Sequence, residues 1–173
     1  LLQKIKLGIV FIHPTDTIYG LSCDATNEKT VENIRRIKGR SDNPFSVWAP
    51  SLEWIKKNCE INKEAEAWLK KLPGPYTLIL KLKNKKAIAK SVNLGKETLG
   101  VRMPDHWFSV AVKEFGQPLV TTSANKAGKP FMTSLKNLDE TIAPEVEFLI
   151  YEGEKEAHPS KIINLVTGDV KER

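Results

Sequence analysis

Three short segments carry hydroxyl, amide and cationic side chains that could bind an anion. They are residues 13–21 (HPTDTIYGL), 38–41 (KGRS) and 121–125 (TTSAN). Each follows an apolar run typical of a strand or an amphipathic helix, and none contains a histidine–carboxylate cluster. Such side chains bind polar ligands through hydrogen bonds and fixed charge rather than by abstracting protons. Phosphate is the anion that suits them best, so the sequence indicates a nucleotide-handling enzyme that works mainly by positioning.

The first segment lies where a buried strand is predicted to end. Pro14 stops the apolar run, and Thr15, Asp16 and Thr17 then place two hydroxyls and a carboxylate at the mouth of the sheet. Open α/β sheets bind ligands at such strand ends. The same residue types are also common in polar turns that bind nothing. This segment alone does not separate the two interpretations.

The other two segments each offer a pair of side chains. Lys38 and Arg40 follow a predicted helix and could project from its end as a phosphate clamp, with Gly39 providing the turn. They could equally complement the helix dipole. Ser123 and Asn125 could face one phosphate or its Mg²⁺, or form a local Asx or Ser turn. Neither common phosphate-loop fingerprint, G-x-x-x-x-G-K-[ST] or G-x-G-x-x-G, occurs in the chain.

Arg102 is a charged residue inside an apolar strand pattern. Burying arginine is costly unless it is paired, so Arg102 lies either at an exposed edge or inside the site, where it could bind a carboxylate. The tryptophans have simpler interpretations. Trp68 and Trp107 are expected at core positions of helices, whereas Trp48 and Trp54 could belong to the core or to the wall of the site.

Composition limits the class of protein. The net charge of +6 favours polyanionic partners or phosphorylated substrates. Its basic excess concentrates in a run that is either a solvated strand end or a nucleic-acid contact surface, formed by Lys81, Lys83, Lys85, Lys86 and Lys90. Two widely separated cysteines and three scattered histidines form no metal pattern. Free thiols without a secretory segment predict a cytoplasmic protein, and no apolar run approaches the ~18 residues of a membrane span.

A length of 173 residues suits a single domain, residues 1–173, and hydrophobic periodicity places it in the α/β class. Strands are predicted at residues 8–12, 45–49, 77–82, 99–103, 118–122, 148–151 and 162–166. Helices are predicted at residues 27–38, 62–72, 105–115 and 135–142. Because strands and helices alternate without strict pairing, we expect a mixed sheet covered by helices.

Taken together, the polar motifs are more specific than any one of them. Those that carry a resemblance are residues 14–21 (PTDTIYGL), 38–40 (KGR), 73–77 (PGPYT), 101–104 (VRMP), 122–125 (TSAN) and 159–160 (PS). In order and spacing they resemble the YrdC/TsaC family of threonylcarbamoyl-AMP synthases, over residues 8–166. The chain looks like the stand-alone catalytic domain of that family.

The resemblance implies a twisted mixed β-sheet flanked by helices, with a deep positive cavity. It implies a nucleotidyltransferase that converts L-threonine, bicarbonate and ATP, with Mg²⁺, into threonylcarbamoyl-adenylate and pyrophosphate. A downstream transferase complex would pass the threonylcarbamoyl group to the adenosine beside a tRNA anticodon. In this mechanism N-carboxylated threonine attacks the α-phosphorus, while the protein supplies proximity and charge stabilisation.

The resemblance also assigns roles to individual residues. Phosphates would be held by Lys38, Arg40, Ser123 and Asn125, with Lys38 and Arg40 acting as the catalytic pair. Mg²⁺ would arrive with the phosphates near Ser123 and Asn125, and no metal would be bound by the protein alone. Threonine would be received by Thr15, Arg102, Thr121 and Ser160, with Arg102 taking its carboxylate. Thr98 matches a nucleotide contact.

Three departures from the family pattern bear on substrate affinity. Trp48 stands where many members have histidine, so a threonine contact is lost or replaced by an aromatic wall. Phe131 replaces a serine that could supply a phosphate hydroxyl, and Lys161 adds a cation near the site.

Two other functions remain open from the residues. An RNA-binding protein could use a concave basic surface for tRNA or double-stranded RNA, although no aromatic–basic strand motif is present. A carbamoyl-transfer domain of the maturation-factor type shares the fold, but that group normally carries zinc-finger and acylphosphatase-like segments, for which two isolated cysteines provide no pattern.

Overall fold

Short helices and strands alternate along the chain, of which the computed structural model describes residues 1–156 and 158–171. The helices of this part are α1 (Leu2–Lys6), α2 (Glu28–Lys38), α3 (Leu52–Asn58), α4 (Lys63–Leu69), α5 (Lys90–Asn93) and α6 (Ser109–Phe115). Its strands are β1 (Phe11–His13), β2 (Gly20–Ser22), β3 (Ser46–Trp48), β4 (Tyr76–Lys81), β5 (Thr98–Arg102), β6 (Leu119–Ser123), β7 (Phe148–Leu149), β8 (Lys161–Asn164) and β9 (Val170–Lys171). Three 3₁₀ turns lie at Lys85–Ala87, Leu135–Asn137 and Ala143–Glu145.

The described strands form one mixed sheet in the order β7-β1-β2-β6-β3-β5-β4-β8-β9. The pairs β1·β7, β3·β5 and β4·β8 are parallel, and the other neighbours are antiparallel. The expected α/β class with a mixed sheet flanked by helices is confirmed. The order itself separates sequence neighbours, since β6 lies between β2 and β3.

The two faces of the sheet differ because side chains alternate along each strand. Residues such as Leu21, Val47, Leu78 and Val101 share one face, where they join the large core beneath α2, α3, α4 and α5. The opposite face carries a second apolar cluster under α1 and α6. Beside that cluster, the same face presents a row of small and polar residues from five strands, namely Gly20, Ser46, Thr77, Gly100 and Thr121.

Helix α2 shows how local sequence sets an element that ends at the site. The Asn27 side chain caps it by accepting a hydrogen bond from Thr30 N, while Val31, Ile34 and Ile37 are buried. Gly39 ends the helix in the left-handed region (φ 60°), which favours glycine. The chain then turns back, so Lys38 and Arg40 leave the helix at its sheet-facing end.

Several predicted boundaries are wrong for identifiable reasons. The helix expected from Asp105 begins only at Ser109, because residues 106–108 form a turn in which His106 Nδ1 accepts from Phe108 N. Trp107 therefore precedes the helix and is 55% exposed, against the expected core position. The helix expected at residues 135–142 is a single 3₁₀ turn. Strand β2 and helix α1 were not predicted, since each is too short for periodicity to show, and helix α3 was also missed.

Within the described residues, no helix has both the length and the apolar character required to cross a membrane.

Candidate active site

A cavity of about 300 Å³ opens above the polar row of the sheet. Six of the sequence-predicted site residues line it: Thr15, Arg40, Arg102, Thr121, Ser123 and Ser160. Among the described residues that line it there is no aspartate, glutamate or histidine. The cavity therefore offers hydroxyl groups and two guanidinium groups, but no side chain suited to general acid–base work at neutral pH.

Glycine keeps the floor of this cavity open. A Cβ atom on Gly100 would lie 2.7 Å from Ser46 Oγ and 3.4 Å from Thr77 Cγ2, and both of those residues line the cavity. On Gly20 it would lie 3.2 Å from His13 Nε2 and 3.4 Å from Thr121 Oγ1. Larger residues at these two positions would push their neighbours toward the space a ligand needs.

Lys38 is buried and does not project from the helix end as the phosphate-clamp interpretation expected. Its Nζ donates to Ser123 O at 2.5 Å, to Asn125 O at 2.6 Å and to Asn125 Oδ1 at 3.2 Å. Burial, with a smaller contribution from Arg40, lowers the pKa of Lys38 to about 7. The amine therefore sits behind the 123–125 turn and shapes it, instead of standing in the cavity as a free charge.

The 123–125 turn brings together the two side chains that were predicted to bind phosphate, Ser123 and Asn125. Ser123 Oγ donates to Asn125 Oδ1 at 2.5 Å, and Asn125 Nδ2 donates to Lys129 O at 2.5 Å. Arg40 lines the same cavity; its Nη2 donates to Pro44 O at 3.0 Å, and its guanidinium lies 5.4 Å from the Phe45 ring centroid. Arg40 and Ser123 thus supply a cation and a hydroxyl to one region.

Arg102 is held inside the site by an acidic neighbour. Its Nη2 donates to Asp16 Oδ1 at 3.0 Å and to Thr17 Oγ1 at 3.3 Å, and both charged side chains are about nine-tenths buried. Asp16 Oδ2 also accepts from Asp105 N at 3.2 Å. The structure thereby resolves the alternative left open by the sequence, since Arg102 is an interior residue and not one at an exposed edge.

The hydroxyls predicted to surround threonine are buried near Arg102. Ser160 Oγ lies 2.7 Å from Thr77 Oγ1. Thr77 is next to Leu78 on β4, and Leu78 is the register partner of Val101, the residue before Arg102 on β5. Thr15 Oγ1 donates to Ile18 O at 2.7 Å. Thr121 of β6 is the register partner of Ser46 on β3. Thr15, Thr121 and Ser160 therefore line the same cavity as Arg102.

Of the remaining residues that the sequence singled out individually, all but Phe131 lie outside the lining, including the predicted phosphate ligands Lys38 and Asn125. Thr98 is on the same strand face as Gly100, but the structure does not bring it to the cavity, and its carbonyl accepts from Asn93 Nδ2 at 3.0 Å. Trp48 is fully buried against His13 and Phe108, so it belongs to the second apolar cluster and not to a cavity wall. Phe131 does line the cavity, whereas Lys161, next to Ser160, does not.

His13 lies behind the cavity floor and is a structural residue here. Burial lowers its pKa to about 4, opposed by a hydrogen bond to Pro14. Nδ1 donates to Pro14 O at 2.9 Å, while Nε2 is 2.7 Å from Ser22 Oγ. The ring, stacked on Phe108 at 4.8 Å, is therefore neutral at physiological pH and packed as an aromatic.

Sequence reasoning missed several residues of the site. Ser46 was not singled out, and Thr77 was included in the 73–77 motif without a role, although strand alternation places both on the face of Arg102. Tyr19 also lines the cavity within a segment that was singled out. Glu152 and Lys155, which bridge to Thr15 and Tyr19, carry no signal in the sequence.

The fold and site together define a class: a mixed α/β domain whose ligand site is a hydroxyl- and arginine-lined cavity above the sheet. The Sua5/yciO/yrdC family model, described as telomere recombination, matches residues 3–172. The chain belongs to this family.

Curated proteins and solved structures agree with that membership. A Methanocaldococcus jannaschii protein, named provisionally as a threonylcarbamoyl-AMP synthase, is 37% identical over 94% of this chain and 77% of its own length. The crystal structure of Pyrococcus abyssi Sua5 with L-threonine has a TM-score of 0.86 and 34% identity, covering 95% of this chain and 49% of that one. Escherichia coli YciO has a TM-score of 0.82 and 26% identity, covering 95% of this chain and 81% of that one. The chain thus spans about half of Pyrococcus Sua5.

Proposed function

We propose that this chain is a threonylcarbamoyl-AMP synthase domain, which makes threonylcarbamoyl-adenylate and pyrophosphate from L-threonine, bicarbonate and ATP. The observation that carries the proposal is one cavity lined by hydroxyl groups and two arginines, with Arg102 held by Asp16 and with Ser123 belonging to a hydrogen-bonded Ser–Asn turn. Family membership and the threonine-bound Pyrococcus relative support this function.

At one end, Arg102 would bind the threonine carboxylate. A guanidinium offers a planar fork of donors that matches a carboxylate, and Asp16 fixes the orientation of the fork. Thr15, Thr121 and Ser160 would surround the side chain and ammonium group of threonine, since their hydroxyls line the same cavity.

At the other end, Arg40, Ser123 and Asn125 would hold the phosphates of ATP, with Lys38 beside them. Mg²⁺ fits this donor set as a metal carried by the nucleotide, because Ser123 and Asn125 are neutral oxygen ligands and Mg²⁺ prefers oxygen, phosphate and water. When bound, Mg²⁺ would neutralise phosphate charge. Thr98 would contact the nucleotide only if ATP extends beyond the cavity described here.

The chemistry needs positioning more than proton transfer. The amine of threonine adds to the carbon of bicarbonate with loss of water, giving a carbamate. A carbamate oxygen then bonds to the α-phosphorus of ATP, and the bond from that phosphorus to the bridging oxygen breaks, releasing pyrophosphate. Arg40 and the Ser123–Asn125 turn would stabilise the negative charge that grows on the phosphoryl oxygens.

The wider role follows from the same proposal. The adenylate would feed a transferase complex that modifies the adenosine beside a tRNA anticodon, in the cytoplasm. RNA binding by this chain itself is the weaker alternative, because the basic run is partly neutralised. Lys81 lies 3.1 Å from Glu60, and Lys85 lies 2.5 Å from Glu97.

The test is pyrophosphate release from the purified chain with ATP, Mg²⁺ and bicarbonate, supplied with one amino acid at a time. We expect release with threonine and weaker release with serine. One methyl group is worth ~1–3 kcal/mol, so the discrimination against serine should be roughly 10–200-fold. Omitting bicarbonate should abolish the signal. Release that is independent of the amino acid would contradict the proposal, and a nucleotide-binding assay with and without threonine would then separate an enzyme from an RNA-binding protein.

A further inference from the structure

The connection between β7 and β8 has to cross the sheet. β7 is first in the strand order and β8 is eighth, so this connection joins strands that are distant in the sheet. Its last residues, Pro159 and Ser160, line the cavity.

Residues 150–156, here called the strap, are held by a network centred on Glu152. Its Oε1 accepts from His106 Nε2 at 2.9 Å, and its Oε2 accepts from Trp107 Nε1 at 2.6 Å. Its carboxylate also pairs with the Lys155 ammonium. Burial disfavours the carboxylate charge, but the hydrogen bonds from Lys155, Trp107 and His106 outweigh this and lower the pKa of Glu152 to about 2.

The same network reaches two residues that line the cavity. Lys155 Nζ donates to Thr15 O at 2.9 Å, and Lys155 N donates to Thr133 O at 2.9 Å. The Tyr19 hydroxyl accepts from Glu152 N at 3.1 Å and donates to Gly153 O at 2.6 Å. Thr15 and Tyr19 are therefore both hydrogen-bonded to the strap, whose own residues do not line the cavity.

We propose that Glu152, acting through Lys155 and the strap backbone, is a positioning residue for the threonine-binding end of the cavity. The inference rests on the proposed function for the identity of the ligand. Glu152 itself does not line the cavity. Its carboxylate pairs with Lys155, whose Nζ donates to Thr15 O, and its backbone N donates to the Tyr19 hydroxyl, so a change at Glu152 reaches both Thr15 and Tyr19.

A purely structural role makes a different prediction. A partly exposed ion pair contributes ~0.2–1 kcal/mol to stability, and its loss alone would leave ligand affinity unchanged. Glu154 provides the matched control, because it is an exposed glutamate in the same strap.

The experiment compares Glu152→Ala, Lys155→Met, the double variant and Glu154→Ala with the wild-type chain. L-threonine alone is titrated by calorimetry, and steady-state rates are measured with ATP and bicarbonate. We expect Glu152→Ala and Lys155→Met each to raise the Kd and KM for threonine about tenfold, with kcat and the KM for ATP within twofold of wild type. The double variant should resemble the single ones, because both break one network. Glu154→Ala should match wild type.

Hydrogen exchange of the backbone amides at residues 15–19 provides a readout without a substrate. Exchange there should be at least tenfold faster in Glu152→Ala than in Glu154→Ala. Equal exchange, or a threonine Kd within twofold of wild type in both single variants, would overturn the inference. If wild type neither binds threonine nor releases pyrophosphate, the proposed function fails, and the exchange rates still decide whether Glu152 positions Thr15. Should Glu152→Ala not fold, Lys155→Met gives the same comparison.

Discussion

Lys38 is the residue at which expectation and structure differ most. An ammonium has three N–H donors, and three oxygens lie within 3.2 Å of its Nζ. The residue is 2% exposed, so it is an interior amine that supports the turn carrying Ser123 and Asn125. The sequence showed a cation at a helix end, but it could not show that the turn after β6 closes over it.

Replacing Lys38 with Ala should therefore impair both activity and stability. Loss of the amine that shapes the Ser123–Asn125 turn is expected to displace the proposed phosphate ligands and to reduce the rate by on the order of 10²–10³. Leaving the buried oxygens of Ser123 and Asn125 unsatisfied should lower the free energy of unfolding by about 1–3 kcal/mol. The measurements are steady-state pyrophosphate release and denaturant unfolding, with the exposed Lys86→Ala as a control. Normal turnover in Lys38→Ala would remove this residue from the phosphate site.

The depressed pKa of Lys38 also predicts how stability depends on pH. The amine has a pKa of about 7 in the fold, against 10.5 for an ordinary lysine. Between these values the unfolded chain binds more protons than the folded chain, so this group makes the fold more stable as pH rises, by up to ~1.4 kcal/mol per unit. Below pH 7 its effect is constant. Wild type should gain stability relative to Lys38→Met from pH 7 to 9, measured by urea unfolding. If the stability of wild type and of Lys38→Met changed equally with pH, the lowered pKa of Lys38 would be contradicted.

At the scale of the elements, close packing between β3 and β5 sets the depth of the cavity. Gly100 and Ser46 are register partners, and a Cβ on Gly100 would lie 2.7 Å from Ser46 Oγ. Gly100→Ala should cost about 1–3 kcal/mol of stability through overpacking and should weaken threonine binding. Ser46→Ala in the same chain removes the closest atom, so the double variant should recover part of both losses. Calorimetric Tm measures the stability, and threonine titration measures the affinity. If the double variant recovers neither, the Cβ of residue 100 does not clash with Ser46.

The elements show how far sequence patterns reach. Helix α2 was predicted nearly to its ends, because Asn27 and Gly39 are strong capping signals around a clear apolar stripe. Helix α6 was placed four residues early, since Asp105 resembles a cap but uses its backbone amide to bind Asp16. Helix propensity and capping patterns reflect interactions between residues that are close in sequence. Asp16 lies 89 residues from Asp105, so no such pattern could show this contact. Elements of three to five residues lack the length for a period to be recognised.

At the scale of the molecule, the site depends on the strand order, which no local pattern specifies. Alternation predicts which residues share a face but not which strands are neighbours. The order places β6 between β2 and β3, and this brings Thr121 beside Ser46 and Ser22. The motif types thus predicted six lining residues, whereas the topology was needed to place Ser46 and Thr77 beside them and to bring the strap to Thr15 and Tyr19.

Because the cavity draws on distant parts of one chain, ligand binding should stabilise the molecule as a whole. Thr15, Arg102 and Ser160 come from three separate segments that converge on one cavity. Threonine at a hundred times its Kd should raise the free energy of unfolding by about 2.7 kcal/mol, within a single cooperative transition. Serine at the same concentration should give a smaller shift. The measurement is calorimetric unfolding with increasing threonine, with Arg102→Gln as the variant that should lose the shift although its own Tm differs. A shift that persists in Arg102→Gln would show that threonine binds elsewhere, and two transitions would show that the described segments do not unfold as one domain.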